Sequence, residues 1–229
     1  MPSYLPPTMS LADMRSMCRL TCPDGDQWPD TSLDSWIIEA IRMYSAQFPR
    51  MRRHDLALET GVQSYDLPND CRLVIQVEYP TGQTPRVFLT EVNLAASLFA
   101  NADYVYALEA IATDDLNEGP VLLTFAQTVA TGETASVTYH GAWEVPAVSD
   151  DGATITIPTQ HYEIIQSFVE YRGHWMLEAN AAVNPDNVSL TLSELGANAR
   201  RAWNRYKEVT VRLQTPPAIR AATPVWKYT

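Results

Sequence analysis

Residues 54–78 read HDLALETGVQSYDLPNDCRLVIQVE, and here the hydrophobic period of the chain changes. Apolar residues stop recurring every three to four positions and fall into short or alternating runs, broken by Gly61, Pro68, Asn69 and Asp70. A period near two belongs to extended strands, whose successive side chains point to opposite faces. The same pattern continues through TPRVFLT, VYALEAIAT, GPVLLTFAQ and ASVTYHGAW, with turn signals at 81–82, 117–120, 131–132 and 150–152. An antiparallel sheet, sandwich or open barrel is expected. Within it EVNLAASLFA, at 91–100, reads as a short helix packed on the sheet or as a loop.

Upstream the period is helical. Leu33, Trp36, Ile37, Ala40, Ile41, Tyr44 and Phe48 recur at i, i+3, i+4 and i+7, with N-cap candidates at 30–34, and Pro49 ends the pattern. The MRRHD that follows reads as a solvated loop or as a surface for an acidic partner. Before this helix, residues 11–20 form a shorter one, with Ser10 as cap and Asp13 at the third position.

Downstream, the strand ATITIP ends at Pro158, and helical spacing returns over 160–182 through Tyr162, Ile165, Phe168 or Val169, Trp175, Met176 and Ala179. After a turn at Asn184-Pro185-Asp186, the last helix spaces Leu192, Leu195, Ala199, Ala202, Tyr206, Val209 and Leu213 alternately three and four apart. Two antiparallel helices meeting on a narrow seam follow from that spacing. Arg200, Arg201, Arg205, Lys207 and Arg212 lie away from the seam, either solvated or set against acidic neighbours. The fold class is therefore α+β: helices in 1–53 packing with a helical hairpin at 159–213 as one domain, a mostly antiparallel β domain at 54–158, and an arm at 214–229. The arm is rich in proline and closes with Val225, Trp226 and Tyr228, residues that favour a partner's pocket or the chain's own surface.

Composition narrows the function. With 46% hydrophobic and 19% charged residues in a chain of 229, global disorder is excluded and one large or two small domains are expected. No apolar run is long enough for a membrane span, and MPSYLPPTMSLADM lacks a basic region before an apolar stretch, so a soluble, unprocessed intracellular product is expected. Sixteen Lys and Arg against 27 Asp and Glu leave a net charge of −11, the wrong sign for a nucleic-acid clamp but suited to a wall along which a duplex slides. Only Lys207 and Lys227 are lysine, and a preference for arginine leans toward assembly contacts.

No catalytic, cofactor or metal site is readable. Cys18, Cys22 and Cys71 make no disulfide framework and point to a reducing compartment. Cys18 and Cys22 could share one helical face, but no second cysteine pair follows. His54, His140, His161 and His174 fit no metal or dyad pattern, and phosphate-loop, dinucleotide and nucleophile-elbow motifs are missing. Asp24, Asp26 and Asp30 lack calcium-loop spacing, and Asp114, Asp115 and Glu118 read as turn formers. The remaining enzymatic or ligand-binding alternative is a site formed only in three dimensions around Tyr139, His140 and Trp143.

The order of these parts resembles a known family. WPDTSLDSWIIEAIRMYSAQFPR followed by LALETGVQSYDLPNDCRLVIQVEY resembles the opening of tailed-bacteriophage head-to-tail adaptors, the connector or head-completion proteins, including the tail-tubular-protein-A type. VTYHGAWEVP, a strand, a proline, HYEIIQSFVEYRGHWMLEA, an Asn-Pro-Asp turn and ARRAWNRYKEVTVRL resemble their close. The resemblance implies a structural virion protein without enzymatic activity or cofactor, made in the host cytoplasm and ending at the head-tail interface of the capsid vertex. It implies a homo-oligomeric ring, commonly of twelve copies, beneath the portal protein. That ring would continue the channel through which double-stranded DNA passes without specific binding, and would carry tail or nozzle proteins. It further implies portal binding by Pro224, Val225, Trp226, Lys227 and Tyr228. A tail terminator or tail-tube protein is the structural alternative, and no membrane partner is expected.

Overall fold

The computed structural model describes residues 9–96, 99, 104–112, 118–183 and 190–214. The architecture is α+β, and the chain divides into two units, Met1–Phe48 with Trp143–Thr229, and Pro49–Ala142.

The first unit is helical. Helix α1, Leu11–Thr21, starts where Ser10 Oγ accepts the Asp13 N–H at 3.1 Å, and it buries Leu11, Met14, Arg15 and Cys18, one stripe at i, i+3, i+4 and i+7. The two-residue strand β1, Met9–Ser10, pairs antiparallel with the later strand β9, Thr154–Ile155. The ATITIP strand therefore joins the helical unit, where Ile155 and Ile157 enter the core. Helix α2, Asp30–Gln47, buries Leu33, Trp36, Ile37, Ala40, Ile41 and Tyr44, as the spacing predicts. Its N-cap is Pro29 and no side chain caps it, which corrects the expectation of a cap among 30–34. Proline lacks only a donor that a helix start leaves unbonded anyway.

Helices α3, Tyr162–Val183, and α4, Leu192–Gln214, form the hairpin. A capping box opens α4: Thr191 Oγ1 accepts the Glu194 N–H at 3.3 Å, and Glu194 Oε2 accepts the Thr191 N–H at 2.9 Å. The seam uses Leu195, Ala199, Ala202, Tyr206 and Val209 with Ile164, Ile165, Phe168 and Val169, while Leu192 and Trp175, expected on it, are exposed, as is Ala179. Gly173 of α3 sits so close to the chain leaving α1 that a Cβ there would lie 2.3 Å from Cys22 Sγ and 3.1 Å from Pro23 Cδ. Glycine is thus required by packing, in a helix where alanine is otherwise preferred. The turn expected at Asn184-Pro185-Asp186 and the arm from residue 215 lie outside the described residues.

The second unit is β. Strands β2 (Arg50–Ala57), β4 (Cys71–Glu78) and β8 (Thr134–Gly141) form an antiparallel sheet ordered β2-β8-β4. Strands β3 (Ser64–Asp66), β5 (Thr90–Glu91), β6 (Val105–Ala112) and β7 (Glu118–Phe125) form a second, ordered β3-β7-β6-β5, antiparallel except for the β5–β6 pair. One core, including Leu56, Val77, Tyr79, Leu123, Phe125 and Val137, draws on both sheets. The MRRHD segment is strand, not loop: Met51 pairs with His140, Arg53 with Thr138 and Asp55 with Ser136. An edge strand can carry charge on its outward face, and this one does. The 91–100 segment turns at 93–96, where Asn93 Oδ1 accepts the Ala95 N–H at 2.9 Å. Residues 97, 98 and 100–103 lie outside the described residues, as do Asp114 and Asp115.

Candidate assembly surfaces

An ion cluster anchors the helical unit. Arg15 lies on the buried stripe of α1 and grips Asp34 of α2 with two nitrogens, Nε to Oδ1 at 2.7 Å and Nη2 to Oδ2 at 2.9 Å. Asp34 is fully buried and also accepts the Ser149 N–H at 3.0 Å. Arg15 further reaches Asp30 at 3.2 Å and Asp151 at 2.6 Å. The hydrogen bond to Asp34 is the chief reason that the guanidinium is held even more firmly protonated than usual. Three carboxylates on one cation fix α1, α2 and the 149–151 turn in one arrangement.

Other titratable groups are structural. Tyr44 and His161 Nδ1 are 2.5 Å apart inside an aromatic cluster with Phe48 and Trp143, whose indole N–H donates to Phe48 O at 2.6 Å. Burial lowers the His161 pKa and raises that of Tyr44, keeping both neutral. Cys18 and Cys22 are buried, and desolvation pushes both thiols up to about 12, far from a reactive thiolate. Among the described residues, no group of three or more His, Cys, Asp or Glu could hold a metal ion. Tyr139 and His140 do not converge. Tyr139 is buried in the β core and donates to Asp70 Oδ1 at 3.2 Å. His140, next along β8, points to the opposite face, and Trp143 packs in the helical unit.

The hairpin's outward surface is charged and grooved. Two of the predicted basic residues face carboxylates of α3: Arg205 bonds Glu170 at 3.0 Å, and Arg212 bonds Glu163. Arg201 instead bonds Asn198. Arg172 stacks over Trp175, 4.8 Å from the ring centroid, while bonding Glu39 at 3.0 Å. Trp175 is exposed even so, which suits a residue that anchors an interface. A cleft of about 340 Å³ opens between Glu170 and His174 on one side and Asn198, Arg201 and Arg205 on the other. Nearer the end of α4, a second cleft of about 430 Å³ is lined by Met43, Gln47, Trp203, Tyr206, Val211 and Gln214. The β unit has an apolar surface of its own. Met51 and Leu73 flank His140 in one row across the β2-β8-β4 sheet, 66% and 56% exposed, and Ile75 is exposed beside them.

Each unit thus carries solvent-facing apolar groups on a helix or strand, and neither gathers a catalytic constellation among the described residues. Trp203 and Arg15 escaped the sequence reading. Trp203 lies three residues before Tyr206 and Arg15 four after Leu11, so helical spacing alone places both toward a buried face. The arm residues Pro224, Val225, Trp226, Lys227 and Tyr228 lie outside the described residues. Compared with protein families, residues 9–220 match the SU10 adaptor protein. The chain belongs to the SU10 adaptor family. It is a structural protein of the phage virion with the role of a head-to-tail adaptor, and the match spans both of the adaptor's units. It does not single out the tail-tubular-protein-A type within the adaptors. No curated protein matches the adaptor's sequence. Among the adaptor's described residues, no helix is long and apolar enough to cross a membrane.

Proposed function

We propose that the adaptor assembles as a closed ring of twelve copies beneath the portal protein, continues the DNA channel and carries the tail or nozzle proteins. The observation that carries this reading is the family match over residues 9–220, nearly the whole chain. Closed rings use head-to-tail contacts, so each subunit needs two different adhesive surfaces. The Trp175 and arginine surface of the hairpin and the Met51–Leu73 row of the sheet are candidates on separate units. The net charge of −11 supports passage of double-stranded DNA without specific binding, since acidic walls repel phosphates. Subunits made in the host cytoplasm would join the capsid vertex of the virion, with no cofactor or membrane.

In this reading the working parts are the helical unit, the β unit and the arm, and the arm engages the portal through Pro224, Val225, Trp226, Lys227 and Tyr228. Aromatic and aliphatic residues at the end of a proline-rich segment suit a preformed pocket at small ordering cost. Deleting the residues after Leu213 and measuring co-sedimentation with the portal tests this directly. Loss of binding with the helical content retained is expected, whereas unchanged binding refutes a role for the arm.

A further inference from the structure

We propose that, in the free subunit, the arm of residues 215–229 lies in the cleft between α2 and α4 of its own chain. The cleft has a built apolar floor. Trp203 and Tyr206 stack with ring centroids 5.1 Å apart, and Tyr206 is held by Gln47 Nε2 at 3.2 Å, so the aromatic pair is fixed. Met43 forms the opposite wall and is 38% exposed, a flexible thioether beside aromatic rings. Gln47 Oε1 and Thr210 Oγ1 are both buried without a hydrogen-bond partner among the described residues, which leaves acceptors for a main-chain or indole N–H. An apolar floor with two unpartnered polar atoms, and Lys207 on its rim, suits an extended, aromatic-bearing peptide.

The position of the arm selects the occupant. Gln214, the last residue of α4, lines this cleft, so the arm starts at its mouth. Pro216 and Pro217 disfavour a helix continued past Gln214. Retracing α4 from Gln214 to Trp203 covers about 17 Å at 1.5 Å per residue. Fifteen arm residues span up to about 50 Å when extended, so the arm reaches the floor with chain to spare. Ile219, Val225, Trp226 and Tyr228 supply apolar groups to cover it. A tethered segment meets its own cleft at an effective concentration of millimolar order, well above that of another copy in dilute solution.

This inference stands apart from portal binding and is tested without the portal. Trypsin cleavage after Arg220 is timed by mass spectrometry in the full chain, in Met43→Glu and in Trp226→Ala, at several protein concentrations. Cleavage about tenfold slower in the unaltered chain than in either variant, independent of protein and salt concentration, is expected for an apolar intramolecular contact. Met43→Glu alters the cleft and Trp226→Ala only the arm, so agreement between them excludes a folding artefact. Equal rates in all three overturn the proposal. Protection that grows with protein concentration overturns it in favour of a second copy's arm.

Discussion

Replacing Arg15 by Met removes the cation from a site in which Asp34 is fully buried and keeps only the Ser149 N–H. An uncompensated buried carboxylate costs about 3–5 kcal/mol when its partner is deleted. The other two carboxylates add little, because Asp30 and Asp151 are 57% and 67% exposed and return to water, each worth about 0–1 kcal/mol. Arg15→Met is therefore expected to destabilise the helical unit by about 3–5 kcal/mol, which lowers its melting temperature by roughly 6–20 °C for a chain of this size. Arg15→Met with Asp34→Leu replaces the pair by apolar groups and should recover most of the loss, since such swaps are often neutral within about 1–2 kcal/mol. The raised pKa of Arg15 adds stability that is fully present while the guanidinium is protonated, so the effect stays constant between pH 5 and 9. Urea unfolding followed by circular dichroism reads all four members of the cycle. A loss under about 1 kcal/mol for Arg15→Met, or a double variant as unstable as the two single losses combined, would refute the reasoning.

Gly173→Ala should destabilise α3 by about 1–3 kcal/mol through the clash with Cys22 Sγ and Pro23, partly offset by up to about 1 kcal/mol of helix propensity. Adding Cys22→Ala should restore part of the loss in thermal melts, and no restoration would contradict the contact. His161 has a folded pKa below its unfolded value of about 6.5, so its contribution is present above pH 6.5 and is lost as pH falls below it. Urea midpoints should drop between pH 7.5 and 5, less steeply in His161→Gln, and identical slopes would count against a buried neutral imidazole. A thiol reagent at pH 8 should modify Cys71, which is half-buried, before the enclosed Cys18 and Cys22; burial keeps all three thiols protonated, pushing Cys71 up to about 11 and the other two up to about 12. Simultaneous reaction of all three would contradict the packing of α1.

The elements that were legible in the sequence are those whose burial is one-sided. Helix α2 and the seam of the hairpin show their apolar stripes at helical spacing, and β8 places its buried apolar residues Ala135, Val137 and Tyr139 at alternate positions, although Ser136 between them is buried too. The first part of strand β2, through MRRHD, was not legible, because as an edge strand it exposes Met51, Arg53 and Asp55 and carries little apolar signal before Leu56. Leu192 fits the seam's numbering yet is exposed, since it belongs to the first turn of α4 beside the capping box. The Arg15–Asp34 pair joins residues 19 apart, beyond any local pattern, although each interrupts an apolar stripe with a charge of opposite sign. The cleft beside Trp203 needs the position of α2 as well, which no spacing within α4 supplies. What the arm binds is carried by Val225, Trp226 and Tyr228 as a composition, and composition names a kind of pocket without its owner.

Electron microscopy of the adaptor mixed with the portal protein from the same phage tests the ring most directly. The account predicts a regular collar of twelve copies beneath the portal with an open central channel. A bare portal at saturating adaptor, or a sixfold ring formed without it, would contradict the account and point to a tail-side protein.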